Sequence, residues 1–272
     1  MTRTPAEVYR SLSSGPVVVS REGALATITL NDPDRRNALT GVMKEALREA
    51  VATVGGDEDV RAVVLAANGP AFCVGQDLAE HAAALEAGAE QAFATVEAHY
   101  APIVVDLLTM PKPVVAAVQG ACVGAGLGLA LACDLRVWSS SAKVGTAFSG
   151  IGLTFDTGLS LTLPGTVGQA RTKELMFTGR VLRAEEAVAW GMGGEVVPVE
   201  DVGRHASALG AALASGPTVA FAETKRLLAD DGALSAALRS EARAQTCAGD
   251  SADHRAAVAA FLAKKAPAFV GR

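Results

Sequence analysis

Two stretches of this 272-residue chain have the residue types to present backbone donors to one negative oxygen. In Ala71–Leu78 (AFCVGQDL) and in Gln119–Gly128 (QGACVGAGLG), a glycine-bearing turn follows an apolar run and opens into a helical pattern. The first N–H groups of a helix have no partner within it, and glycine lets another group approach the backbone closely. A helix start is therefore a natural seat for an anion, and two such starts can clamp a single oxygen. A third feature is Asp156 in GLTFDTG, flanked by Ile151, Leu153 and Phe155. Its carboxyl can cap a helix beginning near Gly158, or it can sit in apolar surroundings with a raised pKa and shuttle a proton. Spacing alone leaves both readings open. Arg35 and Arg36, in the loop NDPDRRN after an apolar strand, suit a phosphate or are solvated loop charges.

Other chemistries lack their residues. There is no GxxxxGK[ST] and no GxSxG, and Gly124-x-Gly126-x-Gly128 misses the GxGxxG spacing of a dinucleotide fingerprint. The histidines at 81, 99, 205 and 254 fall on helical patterns without metal spacing; they read as surface or helix-face residues, and no metal site is expected. Cys73, Cys122, Cys133 and Cys247 form no CxxC pair and read as small core residues in a reducing compartment. A net charge of -5 and an isoelectric point near 5.5, with no basic patch, argue against nucleic acid as a partner. No signal-peptide pattern opens the chain, and the long apolar stretch at 113–134 is interrupted by Gln119 and glycines, so a cytoplasmic protein with no membrane span is expected.

The elements that must position these residues follow from periodicity. With 50% hydrophobic and 19% charged residues the chain can bury one substantial core. Residues 1–15 read as a loose arm; Val17–Val19 and Ala24–Leu30 form a hairpin; Thr40 caps a helix with Val42, Met43, Leu47, Ala50, Val51 and Val54 on its apolar face. Arg61–Ala67 and Val114–Val118 are continuous apolar runs of the kind that make strands buried on both faces. Helical patterns cover 91–109, the stretch from Leu159, and nearly all of 201–263, with brief strands at Leu135–Trp138 and Glu195–Val197. The glycine-rich segment 144–158 looks like a pocket wall. Strands first and helices last indicate an α/β core with a helical C-terminal region.

Taken together, NDPDRRNAL, AFCVGQDL, AAVQGACVGAGLGLALACDL, TKELMFTGRVLRAEEAVAWGMGGEVV and the tail FLAKKAPAFVGR resemble the crotonase, or enoyl-CoA hydratase and isomerase, superfamily from about Val17 to Gly271. The resemblance implies an α/β fold with a crotonase-like ββα superhelix (spiral) core at 1–200 holding an acyl-CoA site, and a C-terminal helical trimerisation region at 201–272. It implies a homotrimer or hexamer, and no cofactor apart from coenzyme A as part of the substrate. The family's two turns donate N–H groups to a thioester oxygen, and the matching positions are Gln76 and Ala125. Donors aimed at an enolate oxygen stabilise it by roughly 3 to 4 kcal/mol each. Arg36, Ala38, Ala71, Val74, Asp77, Leu78, Gly124 and Phe148 are the implied substrate contacts, with Lys225 reaching a neighbour's coenzyme A.

The carboxylates narrow the activity. A hydratase uses two glutamates around one water, and the matching positions are Gly128 and Phe148. Asp156 instead matches the acid of dienoyl-CoA isomerases, the ring isomerase of phenylacetate degradation, naphthoate synthases and 4-chlorobenzoyl-CoA dehalogenase. One carboxylate with an oxyanion hole suffices for double-bond migration, so isomerisation is the leading expectation and Asp156 the catalytic group. Dehalogenation wants a base where Ala101 stands, and a naphthoate synthase wants a C-terminal tyrosine, whereas the tyrosines are Tyr9 and Tyr100. The alternatives are a hydratase or other lyase of naphthoate-synthase type, or an acyl-CoA binder that moves no protons.

Overall fold

The computed structural model describes Tyr9 and residues 12–272. Of the stretch read as a loose arm, residues 1–8, 10 and 11 lie outside the described residues. Tyr9 is tied down, its hydroxyl donating to Asp57 Oδ2 at 2.6 Å, and Leu12 is buried.

Among the described residues ten strands form two sheets. The larger runs β1 (Val17–Glu22), β2 (Leu25–Leu30), β3 (Ala62–Ala67), β5 (Val114–Val118), β7 (Leu135–Ser139) and β10 (Glu195–Val197) in that spatial order. The β1–β2 pair is an antiparallel hairpin, and every later pair is parallel. The central strands are apolar throughout because both faces are covered. Val63, Leu65, Val114, Ala116 and Val118 pack into the main core with helix Gly41–Gly56 and helix Ala101–Thr109. Their alternates Ala62, Val64, Val115 and Ala117 pack against Val202, Ala206 and Ala214 of helix Val202–Ala214 on the other face. That helix, the first of the C-terminal region, thus covers the second face of the large sheet.

The smaller sheet holds β4 (Ala71–Cys73), β6 (Ala121–Val123), β8 (Lys143–Gly145) and β9 (Val181–Arg183). The chain therefore repeats one unit: a strand in the large sheet, a short strand in the small sheet, then a helix. The unit appears as β3, β4 and helix Leu78–Leu85, and as β5, β6 and helix Ala125–Ala132. It is the crotonase-type ββα spiral. Each strand of the small sheet has three residues, too few for a period-2 pattern to register. For that reason the glycine-rich turn after β5, expected to run straight into a helix, contains β6 first.

Two further expectations change. Val42 is 69% exposed, and Lys44 takes its place on the buried face of helix Gly41–Gly56. Cys73, Cys122 and Cys133 are buried, but Cys247 is exposed. No helix among the described residues is long and apolar enough to cross a membrane.

Candidate active site

The two turns meet. Gly75 has φ 84° and Gly124 φ 56°, left-handed conformations that suit glycine. A Cβ built on Gly75 would lie 3.4 Å from Ala125 N and 3.3 Å from the Val123 carbonyl. The first turn is braced by Leu39, whose N–H donates to Gly75 O at 2.8 Å and whose carbonyl accepts from Asp77 N at 3.3 Å. The second is braced by Gly124 N donating to Gly145 O at 3.1 Å. Between these braces the Gln76 and Ala125 N–H groups donate to no protein acceptor among the described residues. Ala125 opens a helix whose eight residues are all buried, so its N-terminal partial charge is little screened by water.

Asp156 does not cap the following helix. Gly158 N and Ser160 N donate instead to the Glu241 carboxylate, at 2.9 and 2.7 Å, from helix Asp231–Gly249. Asp156 is thus left to the interior, 6% exposed, with Oδ1 accepting from Thr157 Oγ1 at 3.1 Å and Oδ2 from Gln245 Nε2 at 3.2 Å. Burial raises its pKa to about 7; the nearby Glu241 carboxylate adds to the rise, while the two hydrogen bonds and Lys44 oppose it. Gly128 faces the same place. A Cβ there would stand 1.8 Å from Thr157 Oγ1 and 2.5 Å from Thr157 Cβ, so the space a carboxylate would need at 128 is filled by the residue that holds Asp156.

A polar cluster backs the first turn. Lys44 Nζ donates to Gln76 Oε1 at 3.2 Å and to Thr95 Oγ1 at 2.7 Å, and the Tyr100 hydroxyl also donates to Gln76 Oε1. Tyr100 ends a π-helical turn, Val96–Tyr100, that interrupts the expected 91–109 helix. Burial lowers the Lys44 pKa to about 8, and burial raises that of Tyr100 well above the phenol value. The sequence carried one sign of Lys44: it occupies a position of the apolar stripe that includes Met43, Leu47 and Val51.

Of the histidines read as surface or helix-face residues, His81 and His254 lie on helices and are buried. His254 Nδ1 lies 2.7 Å from the Ile151 carbonyl, which can only accept, so this nitrogen bears the proton. Its Nε2 then accepts from His81 Nε2 at 2.8 Å. Burial lowers both pKa values, His81 to about 4, and the neutral pair ties helices Leu78–Leu85 and Ala252–Leu262 to the turn before Asp156.

These groups surround a cavity of about 690 Å³. Of the predicted residues it brings together Asp156, Gln76, Ala125, Arg36, Ala38, Val74, Asp77, Leu78, Gly124 and Phe148. Phe261 and Leu262, from the C-terminal region, reach the same cavity. Arg36, exposed at its edge, has no ion-pair partner among the described residues. Ala71 stays outside, its carbonyl taken by Asn37 Nδ2 and Gln119 Nε2, both at 2.9 Å. Lys225 also stays outside this cavity: 9% exposed, it donates to Asp134 Oδ2 at 2.8 Å and to the Leu107 and Lys112 carbonyls. To meet a ligand this ammonium would have to leave its part-buried ion pair with Asp134. Among the described residues no group of three or more His, Cys, Asp or Glu could hold a metal ion.

A family model described as enoyl-CoA hydratase/isomerase matches residues 20–272. The 1,2-epoxyphenylacetyl-CoA isomerase of Escherichia coli K12 is 38% identical over 92% of this chain and 97% of its own length. A Rhodobacter capsulatus protein named "Probable enoyl-CoA hydratase" is 41% identical over 91% of this chain and 95% of its own. A crystal structure of an enoyl-CoA hydratase from Mycobacterium avium subsp. paratuberculosis K-10 superposes with a TM-score of 0.83 at 30% identity, covering 94% of this chain and 99% of that one.

Proposed function

Because the chain belongs to the enoyl-CoA hydratase/isomerase family, we propose that it moves a double bond within an acyl-CoA thioester, with Asp156 carrying the proton. One observation carries this reading: the cavity offers a single carboxylate that neither caps a helix nor forms an ion pair among the described residues. Two carboxylates line it, and that of Asp77 caps helix Leu78–Leu85, accepting from Ala79 N at 3.0 Å and Glu80 N at 2.9 Å, and meets Arg35 at 3.4 Å. Asp156 remains. Hydration needs a second acid to hold and deliver a water, whereas residue 148 is phenylalanine and residue 128 has no room for a side chain.

The chemistry balances with this one group. From a 3-enoyl thioester the Asp156 carboxylate takes a proton at C2, and the electron pair delocalises onto the carbonyl oxygen as a dienolate. The Gln76 and Ala125 N–H groups hold that oxygen, and their fixed orientation favours the charged intermediate over the neutral substrate. Asp156 then delivers a proton at C4, either the one it took or one exchanged onto its carboxyl from solvent, leaving a 2-enoyl thioester. A carboxyl with a pKa near 7 is suited to both halves, strong enough as a base and as an acid. Arg36 and the 71–78 turn would meet the phosphates and adenine of coenzyme A. A homotrimer or hexamer is part of the same reading and would cover the exposed Val219, Leu227 and Leu228.

Asp156→Asn tests the assignment, since it keeps the shape and the neutral polarity but removes the base. Isomerisation of a 3-enoyl-CoA should fall by about 10²- to 10⁴-fold in kcat with thioester binding retained. Full turnover in the variant would refute the role given to Asp156.

A further inference from the structure

The side chain of Gln76 has a feature that its backbone role in the proposed oxyanion site does not use. An ammonium can only donate, so the amide atom beside Lys44 Nζ, at 3.2 Å, must be the oxygen. The Tyr100 hydroxyl donates to the same oxygen. The carboxamide is thereby fixed in one orientation, and its Nε2 amino group points away from both donors. Among the described residues Nε2 has no protein acceptor. It is not sealed off either, since Gln119 Oε1 is the one fully buried side-chain nitrogen or oxygen left without a partner among them. Gln76 lines the cavity, whose apolar lining includes Phe93, Val96, Phe148, Ile151 and Leu153. A hydrocarbon acyl chain against those walls would strip water from two N–H groups and give nothing back.

We propose that the Gln76 carboxamide selects acyl-CoA thioesters that bear an acceptor oxygen, as ether, hydroxyl or carbonyl, on the third or fourth acyl carbon. The position follows from the chain itself. A glutamine amide nitrogen lies at most about 6 Å from its own backbone nitrogen, and here the backbone nitrogen is the donor assigned to the thioester oxygen. The acceptor must then sit a few bonds beyond the carbonyl. Lys44 and Tyr100 act on the substrate only through Gln76, by holding the amide and polarising it. This proposal rests on the reading of the cavity as an acyl-CoA site and adds what the acyl group carries.

The test is binding, so it does not depend on turnover. Dissociation constants are measured by calorimetry for butyryl-CoA, acetoacetyl-CoA and 4-hydroxybutyryl-CoA, three thioesters of equal chain length with no oxygen beyond the carbonyl, one on C3 and one on C4. Wild-type protein should bind at least one oxygen-bearing thioester about tenfold more tightly than butyryl-CoA, the ratio expected of one ordinary hydrogen bond. Gln76→Leu should erase that difference, partly by tightening butyryl-CoA. Lys44→Met should reduce it by releasing the amide. Thermal unfolding checks that both variants are folded, and the wild-type ratio stands without them. Equal affinity of wild-type protein for all three, or a preference that survives Gln76→Leu, would overturn the proposal while leaving the acyl-CoA reading intact. Failure to bind any of the three would overturn both.

Discussion

Asp156 owes its properties to where it is held, and those properties carry a sign. Burial and the Glu241 carboxylate place its pKa near 7, and only the ionised form can take a proton from carbon. The kcat/KM for isomerisation should therefore rise with pH through a midpoint of about 7, as a pH-rate profile would show; a flat profile from pH 5 to 9 would contradict it. The same shift bears on stability. The folded state holds a proton that the unfolded chain has lost above its ordinary value of 3.8, so stability falls as pH rises from about 4 to about 7 and stays lower beyond. Asp156→Asn removes this burden and should raise stability at pH 8.5 by an amount on the order of a few kcal/mol, with much less gain at pH 4, as read by urea denaturation. The aspartate itself was legible from its apolar flanks and family position. Gln245 and Glu241, which hold it or its surroundings, were not, because nothing in a local pattern links residues eighty to ninety positions apart.

At the scale of elements, one residue of helix Asp231–Gly249 settles what two readings of the sequence left open. Glu241 supplies the N-terminal acceptor of helix Leu159–Thr178, taking the capping role that spacing alone would allow Asp156. It is 2% exposed and sits near enough to raise the Asp156 pKa. Glu241→Gln should have two separable effects: a loss of about 1 kcal/mol from the weaker cap, and a shift of the pH-rate midpoint to lower pH as a like charge disappears. A destabilised variant with an unmoved midpoint would mean that Glu241 does not tune the acid. The larger elements were legible because they are long and periodic; Thr40 caps its helix as expected, accepting from Met43 N at 3.1 Å. The four three-residue strands of the small sheet were not. Their pairing is decided by the strands beside them rather than by their own composition.

Across the whole molecule, the repeated ββα unit brings residues from distant repeats to one cavity, and the C-terminal helices close it. Gln76 and Ala125 come from successive turns, Asp156 from the segment after β8, and the support for Asp156 from beyond residue 240. The glycine at 128 and the phenylalanine at 148 could be read in the sequence as missing acids. What the sequence could not show is that Thr157 fills the first of those places. One-acid chemistry is tested directly by incubating the purified protein in D2O with a 3-enoyl-CoA and, separately, with crotonyl-CoA, following products by mass spectrometry. The expected result is conversion of the 3-enoyl to the 2-enoyl thioester with deuterium incorporated, lost in Asp156→Asn, and little or no 3-hydroxybutyryl-CoA from crotonyl-CoA. Rapid hydration of crotonyl-CoA would contradict it.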